Sequence, residues 1–302
     1  MSIHISGYTG FVGLNLINYL NKQGQHTHPI HLRSSDTISF PPEATAIIHL
    51  AGKAHDLKKV NRPEEYYYVN TELTKKVFDA FLLSEANVFI ILSSIKAIAD
   101  KLDDTLTEDT IPNPQTDYGK SKLLAEAYIL SKPIPEGKRV YILRPCMIHG
   151  PGNKGNLNLL YNVISKKIPW PLASFINQRS FLSVENLCFV IKELIERDDI
   201  PSGIYQVADD QPLSTNQLIT LIAEGLNFKP RLWHLHKKVI KSICAIGDVL
   251  NFPLNTERLQ KLTENYVVSN QKIKKALKKN LPLTAAQGIL KTIHSFNKKT
   301  IS

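Results

Sequence analysis

Apolar residues flank a polar one at Ile3-His4-Ile5, the alternation of a short strand. That strand runs directly into Gly7-Tyr8-Thr9-Gly10-Phe11-Val12-Gly13, and Leu14, Ile17 and Leu20 follow at helical spacing. A second strand is expected around Pro29–Leu32, and Ala46-Ile47-Ile48-His49-Leu50-Ala51-Gly52 reads as a buried parallel strand ending in small residues. A helix from about Thr71 to Leu83, the strand Val88–Leu92, a helix carrying Tyr118 and Lys122, and the strand Arg139–Leu143 complete the first half. Strands alternating with helices predict an α/β fold with a parallel, doubly wound sheet. Beyond Arg144-Pro145 the segments are shorter and less regular: a strand at Ile204–Val207 and helices at Leu218–Leu226 and Val239–Leu250. The last of these pairs lysines with an apolar side, and packing into a core is favoured over resting on a membrane.

Strand, glycine turn and helix in succession give the glycines a meaning that their spacing alone lacks. One glycine permits the tight turn, one lets the backbone approach a pyrophosphate, and one lets the helix pack closely. The helix N-terminus then offers free N–H groups and the positive end of its dipole to phosphates. The second strand ends at Arg33, where an acid would bond a ribose hydroxyl; an arginine suits a 2′-phosphate, so Arg33 leans toward NADP over NAD without deciding between them. Ala51 and Gly52 leave room at a strand end, and the Ser93 and Ser94 hydroxyls point to the same crevice. His49 reads as a packed strand histidine.

On a helix, Tyr118 and Lys122 of Tyr118-Gly119-Lys120-Ser121-Lys122 lie one turn apart on one face. A neighbouring ammonium favours phenolate, so a Tyr118 pKa below its ordinary value of about 10 is expected. Such a phenol can exchange a proton with an alcohol, the requirement of general acid–base catalysis.

The length of 302 residues and 43% apolar content allow one large domain or two lobes. No apolar run approaches the roughly 20 residues of a membrane span, and the first residues lack a signal-peptide layout. Cys146, Cys188 and Cys244 are too few and too scattered for a disulfide framework or a zinc site, which points to a cytoplasmic setting and no metal. The net charge is +10. Lys272, Lys274, Lys275, Lys278 and Lys279 form one basic cluster and Lys237, Lys238 and Lys241 another, both read as solvated helix faces. No nucleic-acid motif accompanies them.

These residues together resemble the extended short-chain dehydrogenase/reductases, within them the NAD-dependent epimerase/dehydratase group, over nearly the whole chain. The resemblance rests on the Gly7/Gly10/Gly13 loop, His49-Leu50-Ala51-Gly52, Asn70, Ser93-Ser94, the Tyr118/Lys122 pair and Arg144-Pro145 through Gly150-Pro151-Gly152. Arg179-Ser180-Phe181-Leu182-Ser183-Val184 matches a further segment. It implies a Rossmann-type dinucleotide domain over 1–150, with later returns of the chain to it allowed, and mainly a smaller substrate lobe over 151–302. It also implies NAD or NADP as cofactor, a UDP-sugar as substrate, and a homodimer with no stable membrane insertion. Tyr118 would be the acid/base at the sugar C4 hydroxyl, and Ser94 would bond the same oxygen, with Ser93 as fallback. Lys122 would bind the nicotinamide ribose, and Pro145 would pack near the nicotinamide. Gly7, Gly10, Phe11, Val12, Gly13, Leu50, Ala51 and Gly52 would line the cofactor, and Asn70 would tie helix to sheet beside it. Asn156, Arg179 and Arg258 would contact the diphosphate, for which the guanidinium fork is suited. Sugar 4,6-dehydratases carry an Asp-Glu pair after the catalytic hydroxyl; Ile95-Lys96 stands here, which excludes that elimination. The reading that follows is a UDP-hexose or UDP-N-acetylhexosamine 4-epimerase. An NADPH-dependent reductase of a UDP-4-keto-6-deoxy sugar is the alternative. The Tyr/Lys pair speaks against a third reading, a non-catalytic dinucleotide sensor.

Overall fold

The first strand, β1 (Ser2–Ser6), is followed by α1 (Phe11–Lys22), β2 (His26–Ile30) and β3 (Ala44–His49) in the computed structural model, which describes residues 1–32, 37–53, 62–102, 104–153, 155–250 and 255–300. Next come α2 (Glu64–Tyr67), a π turn at Tyr68–Glu72, α3 (Leu73–Leu82), β4 (Val88–Leu92), a 3-10 turn at Ile95–Ala97, α4 (Asp117–Leu130) and β5 (Arg139–Pro145). The second half holds β6 (Met147–His149), α5 (Asn156–Ile164), β7 (Phe181–Ser183), α6 (Val184–Glu196), β8 (Gly203–Val207) and α7 (Thr215–Gly225). α8 (Lys237–Leu250), α9 (Thr256–Thr263), α10 (Gln271–Leu277) and α11 (Ala285–Thr300) follow.

Six strands pair in parallel in the order β2-β1-β3-β4-β5-β8. Alternation along the strands explains how both faces are buried. Ile3, Ile5, Ala46, Ile48 and Ile90 face Leu16 and Leu20 of α1 and Leu187 and Ile191 of α6. Ile47, Phe89 and Ile91 face Val77, Phe78 and Phe81 of α3 and Ile129 of α4. The order reverses between β1 and β3, and in such sheets ligands bind beyond the strand C-termini at that switch point. A second core gathers Leu157, Trp170, Phe181, Ile219, Ile222, Ile289 and Ile293. β8, α6 and α10 return to the main sheet, so the two cores interleave along the chain.

Several expectations need correction. The stripe of α1 that turns inward is Gly13, Leu16 and Leu20, while Leu14 is 53% exposed. The second strand ends at Ile30, not Leu32. The helical run after β3 begins at Glu64 instead of Thr71, with Pro63 before it and two acids in its first turn, where proline and negative charge suit a helix start. α8 sends only Ile240 and Cys244, of its larger apolar side chains with described placement, into the second core. The lysine cluster around α10 does lie at the surface, with Lys272, Lys275, Lys278 and Lys279 exposed, and two of its members are ion-paired: Lys274 meets Asp210 at 3.0 Å and Lys279 meets Glu193 at 2.7 Å.

Candidate active site

Gly7 sits at φ +67°, a left-handed conformation that side chains rarely adopt. A Cβ there would lie 2.6 Å from the Ala51 nitrogen, so the turn after β1 presses on the loop after β3. Gly13 is equally constrained, since its Cβ would fall 2.4 Å from the Gly7 carbonyl oxygen. Gly10 caps α1 with no side-chain hydrogen bond, and the first turn has no acid, which leaves the helix start open to an anion. Phe11 lies against the Gly150–Gly152 loop, and Asn15 Nδ2 donates to the Pro151 carbonyl at 3.0 Å. Val12 packs against the main core. This cradle fits a dinucleotide pyrophosphate.

His49 fixes the floor. Ser6 Oγ lies 2.7 Å from its Nδ1 and Thr74 Oγ1 lies 3.0 Å from its Nε2, so both ring nitrogens are engaged in the core. Burial, with the Lys122 charge as a second cause, pushes its pKa from 6.5 down to about 3. The unfolded chain therefore takes up a proton that the folded one refuses. Stability is full above pH 6.5 and falls by about 1.4 kcal/mol per unit as the pH drops toward 3. Urea melts between pH 6.5 and 4.5 are expected to show this slope in the wild type and a flatter one in His49→Gln; equal slopes would refute the assignment.

Tyr118 stands in the first turn of α4, behind a Thr116 N-cap whose Oγ1 accepts from the Gly119 N–H at 3.2 Å. Asp100 accepts from the Gln115 and Thr116 N–H groups and anchors that cap. Gly119 is what lets the helix approach the turn at Ile95–Ala97, because a Cβ would land 2.3 Å from the Lys96 carbonyl oxygen. The approach brings Tyr118 into hydrogen-bond contact with Ser94. Tyr66 packs edge-on against the Tyr118 ring, with centroids 6.1 Å apart. Lys122, one turn on, is buried and donates to the Leu92 carbonyl at 2.9 Å, at the end of β4. Gly52 lies against it, since a Cβ there would be 2.9 Å from Nζ. Leu50, Ala51 and Gly52 thus run between the glycine turn and Lys122.

The expected depression of the Tyr118 pKa is not found. Burial pushes it up, a hydrogen bond from Ser94 opposes this, and Tyr66 adds to the rise. The cation meant to lower it is committed to the Leu92 carbonyl, and burial takes Lys122 itself down to about 8.

Ser93 and Ser94 divide their tasks. Ser93 Oγ bonds Glu126, which accepts Arg144 Nη2 at 2.6 Å and Nε at 3.1 Å in a buried ion pair. Ser94 is the serine bonded to Tyr118. The Glu126–Arg144 pair is not legible in the sequence, because its members are eighteen positions apart and no local spacing joins them. Asn70, in the π turn, spans Ser121 Oγ at 3.0 Å and the Lys53 N–H and carbonyl at 2.8 and 3.2 Å, a brace between α4 and the loop after β3. Pro145 is buried at the end of β5, beside β4.

Arg179 stands just before β7, in the second half of the chain. Its guanidinium bonds the Lys261 carbonyl of α9, and its backbone bridges Leu213 and Tyr266. The Tyr266 hydroxyl donates to the Ala99 carbonyl at 2.6 Å, and Lys96 Nζ lies 4.4 Å above its ring, so Arg179 is tied to the turn that follows Ser94. Burial lowers the pKa of Lys96, and the carbonyl of Asp100 holds its ammonium here. Arg258 is exposed on α9, its backbone N–H bonded to Asn255 at 2.9 Å. Arg33 lies outside the described residues, as does the side chain of Asn156 at the start of α5. No group of metal-ligating side chains occurs among the described residues.

A sequence model of the NAD dependent epimerase/dehydratase family matches residues 3–208. UDP-glucose 4-epimerase of Vibrio cholerae is 28% identical, with 98% of this chain and 95% of the relative covered. GDP-6-deoxy-D-mannose reductase of Pseudomonas aeruginosa is 26% identical over 74% of this chain and 79% of its own length. UDP-glucuronic acid 4-epimerase from Bacillus cereus in complex with NAD shares the fold at a TM-score of 0.76, with 15% identity and 100% of both chains covered.

Proposed function

The chain belongs to the NAD-dependent epimerase/dehydratase family, and from that premise we propose that it is a nucleotide-sugar 4-epimerase acting on a UDP-hexose or UDP-N-acetylhexosamine. One observation carries the proposal: Lys122, one turn from Tyr118 on α4, donates to the Leu92 carbonyl at the end of β4 and lies against Gly52, beside the switch-point crevice that the glycine turn lines. In this reading Tyr118 takes the proton of the sugar C4 hydroxyl and returns it, while Ser94 bonds the same oxygen. Lys122 holds the nicotinamide ribose, and Pro145 abuts the ring. The backbone from Gly7 through Gly13 and from Leu50 through Gly52 cradles the rest of the dinucleotide, with Asn70 bracing that loop. Hydride storage at C4 is the chemistry that a nicotinamide supplies when bound. Arg179, Arg258 and Asn156 receive the diphosphate. The turn after Ser94 has no carboxylates for an elimination, and Ile95 is buried in the core.

Arg33 favours a second reading, an NADPH-dependent 4-keto reductase, in which Tyr118 gives its proton once. The two are separated by incubating purified protein with UDP-glucose or UDP-N-acetylglucosamine without reductant and following the C4 epimer by proton NMR. Epimer formation is the expected result. No epimer, together with NADPH oxidation on adding a UDP-4-keto-6-deoxy sugar, would replace the first reading with the second.

A further inference from the structure

Lys96 stands two residues after Ser94, and its N–H donates to Ser94 Oγ at 3.2 Å. The lysine therefore springs from the turn that the serine caps. Little holds its ammonium. The Asp100 carbonyl accepts from Nζ at 2.8 Å, and the Tyr266 ring centroid lies 4.4 Å away. The side chain stays 35% exposed. Asp100 is the carboxylate within ion-pair reach, at 4.0 Å, and it already accepts from the Gln115 and Thr116 N–H groups at the cap of α4. Glu264, whose charge acts on both Lys96 and Arg179, lies beyond ion-pair reach of either.

Tyr266 connects this ammonium to Arg179. The two residues are partners in a parallel bridge, so their side chains leave the same side of the backbone. Lys96 thus lies between Ser94, from which it springs, and the ring that neighbours Arg179. In the proposed reading Ser94 meets the sugar C4 oxygen and Arg179 the diphosphate on C1. C1 and C4 face each other across a pyranose ring, so a cation between the two addresses substituents on the sides of that ring. A hexose or an N-acetylhexosamine offers only hydroxyls and a neutral amide there. A hexuronic acid offers more, because C5, the neighbour of C4, carries C6 as a carboxylate. Moving the ammonium from the Asp100 carbonyl to that carboxylate exchanges a bond to a neutral acceptor for a stronger, charge-assisted one.

We propose that Lys96 is a specificity-determining residue whose ammonium pairs with the C6 carboxylate of a UDP-hexuronic acid, and that the crevice prefers this sugar to its neutral counterpart. The inference rests on the proposed placement of C4 at Ser94, and it narrows the UDP-hexose of that reading to one oxidised at C6.

The test is calorimetric titration of the full chain with UDP, UDP-glucose and UDP-glucuronic acid, with saturating NADH or NADPH to block oxidation at C4. UDP-glucuronic acid is expected to bind about tenfold more tightly than UDP-glucose, the ordinary strength of a hydrogen bond to a charged partner. Lys96→Met should weaken UDP-glucuronic acid about tenfold more than it weakens UDP-glucose. Lys96→Glu should invert the preference. The wild-type comparison needs no variant, so it decides the matter even where a substitution unfolds the chain. Equal affinity of the wild type for the two sugars overturns the proposal. So does a Lys96→Met loss shared equally by UDP and both sugars, which would make the lysine a diphosphate contact. Turnover with NAD is read separately by NMR. A C4 epimer formed from UDP-glucose, with no preference for the uronic acid, overturns this inference and leaves the 4-epimerase reading standing. A preference that Lys96→Met abolishes, with no epimer from either sugar, upholds the inference and removes that reading.

Discussion

Replacing Tyr118 by phenylalanine is expected to lower kcat by about 10²–10⁴-fold, the ordinary contribution of a positioned acid or base, while dinucleotide affinity stays unchanged. The substitution removes one oxygen and keeps the ring that packs edge-on against Tyr66, so the loss reports the hydroxyl and not the packing. Burial raises the Tyr118 pKa in the ligand-free protein, and at neutral pH the phenol therefore carries its proton. It is ready to donate to a C4 ketone oxygen, whereas accepting a proton from the C4 hydroxyl requires stabilisation of the phenolate. Ser94 already acts in that direction through its hydrogen bond. The measurements are turnover with a UDP-sugar and dinucleotide titration by fluorescence. Activity of Tyr118→Phe within tenfold of wild type would remove the phenol from the chemistry.

The parts of the site legible in the sequence were those set by contacts between near neighbours. Gly7 and Gly13 could be read because a strand-turn-helix has few backbone solutions, and the structure places Gly13 against the Gly7 carbonyl. Tyr118 and Lys122 could be paired because a helix fixes their shared face. Their electrostatics could not, because these depend on what else is near. The Lys122 ammonium is held by a carbonyl thirty residues earlier, and burial then outweighs any cationic help to the phenol. The α1 stripe was misplaced for a similar reason. Leu14 and Leu16 are equally apolar, and only packing against the sheet and α6 turns Leu16 inward. Arg179 was visible as a motif arginine, but its link to the turn after Ser94 runs through Tyr266 and Ala99, 167 residues apart.

The second large effect is expected from Glu126, which ordinary sequence inspection passes over as a helix-surface acid. In the structure it is buried, with Arg144 bound to both of its oxygens and Ser93 to one. Glu126→Ala leaves an arginine charge, 3% exposed, without its carboxylate; removing one partner of a buried pair costs about 3–5 kcal/mol. For a chain of this size that corresponds to a fall in Tm of about 10 °C. Removing both charges together, as Glu126→Leu/Arg144→Met, should recover most of the loss, because no charge is then stranded in the core. The pair also bears on function, since Ser93 adjoins Ser94 and its anchor is the carboxylate. The double variant is therefore expected to be stable but slower, as the Ser94 hydroxyl loses a fixed neighbour. Calorimetry on both variants decides the matter: if Glu126→Ala melts within 2 °C of wild type, the ion pair does not hold α4 to β5 as the geometry implies.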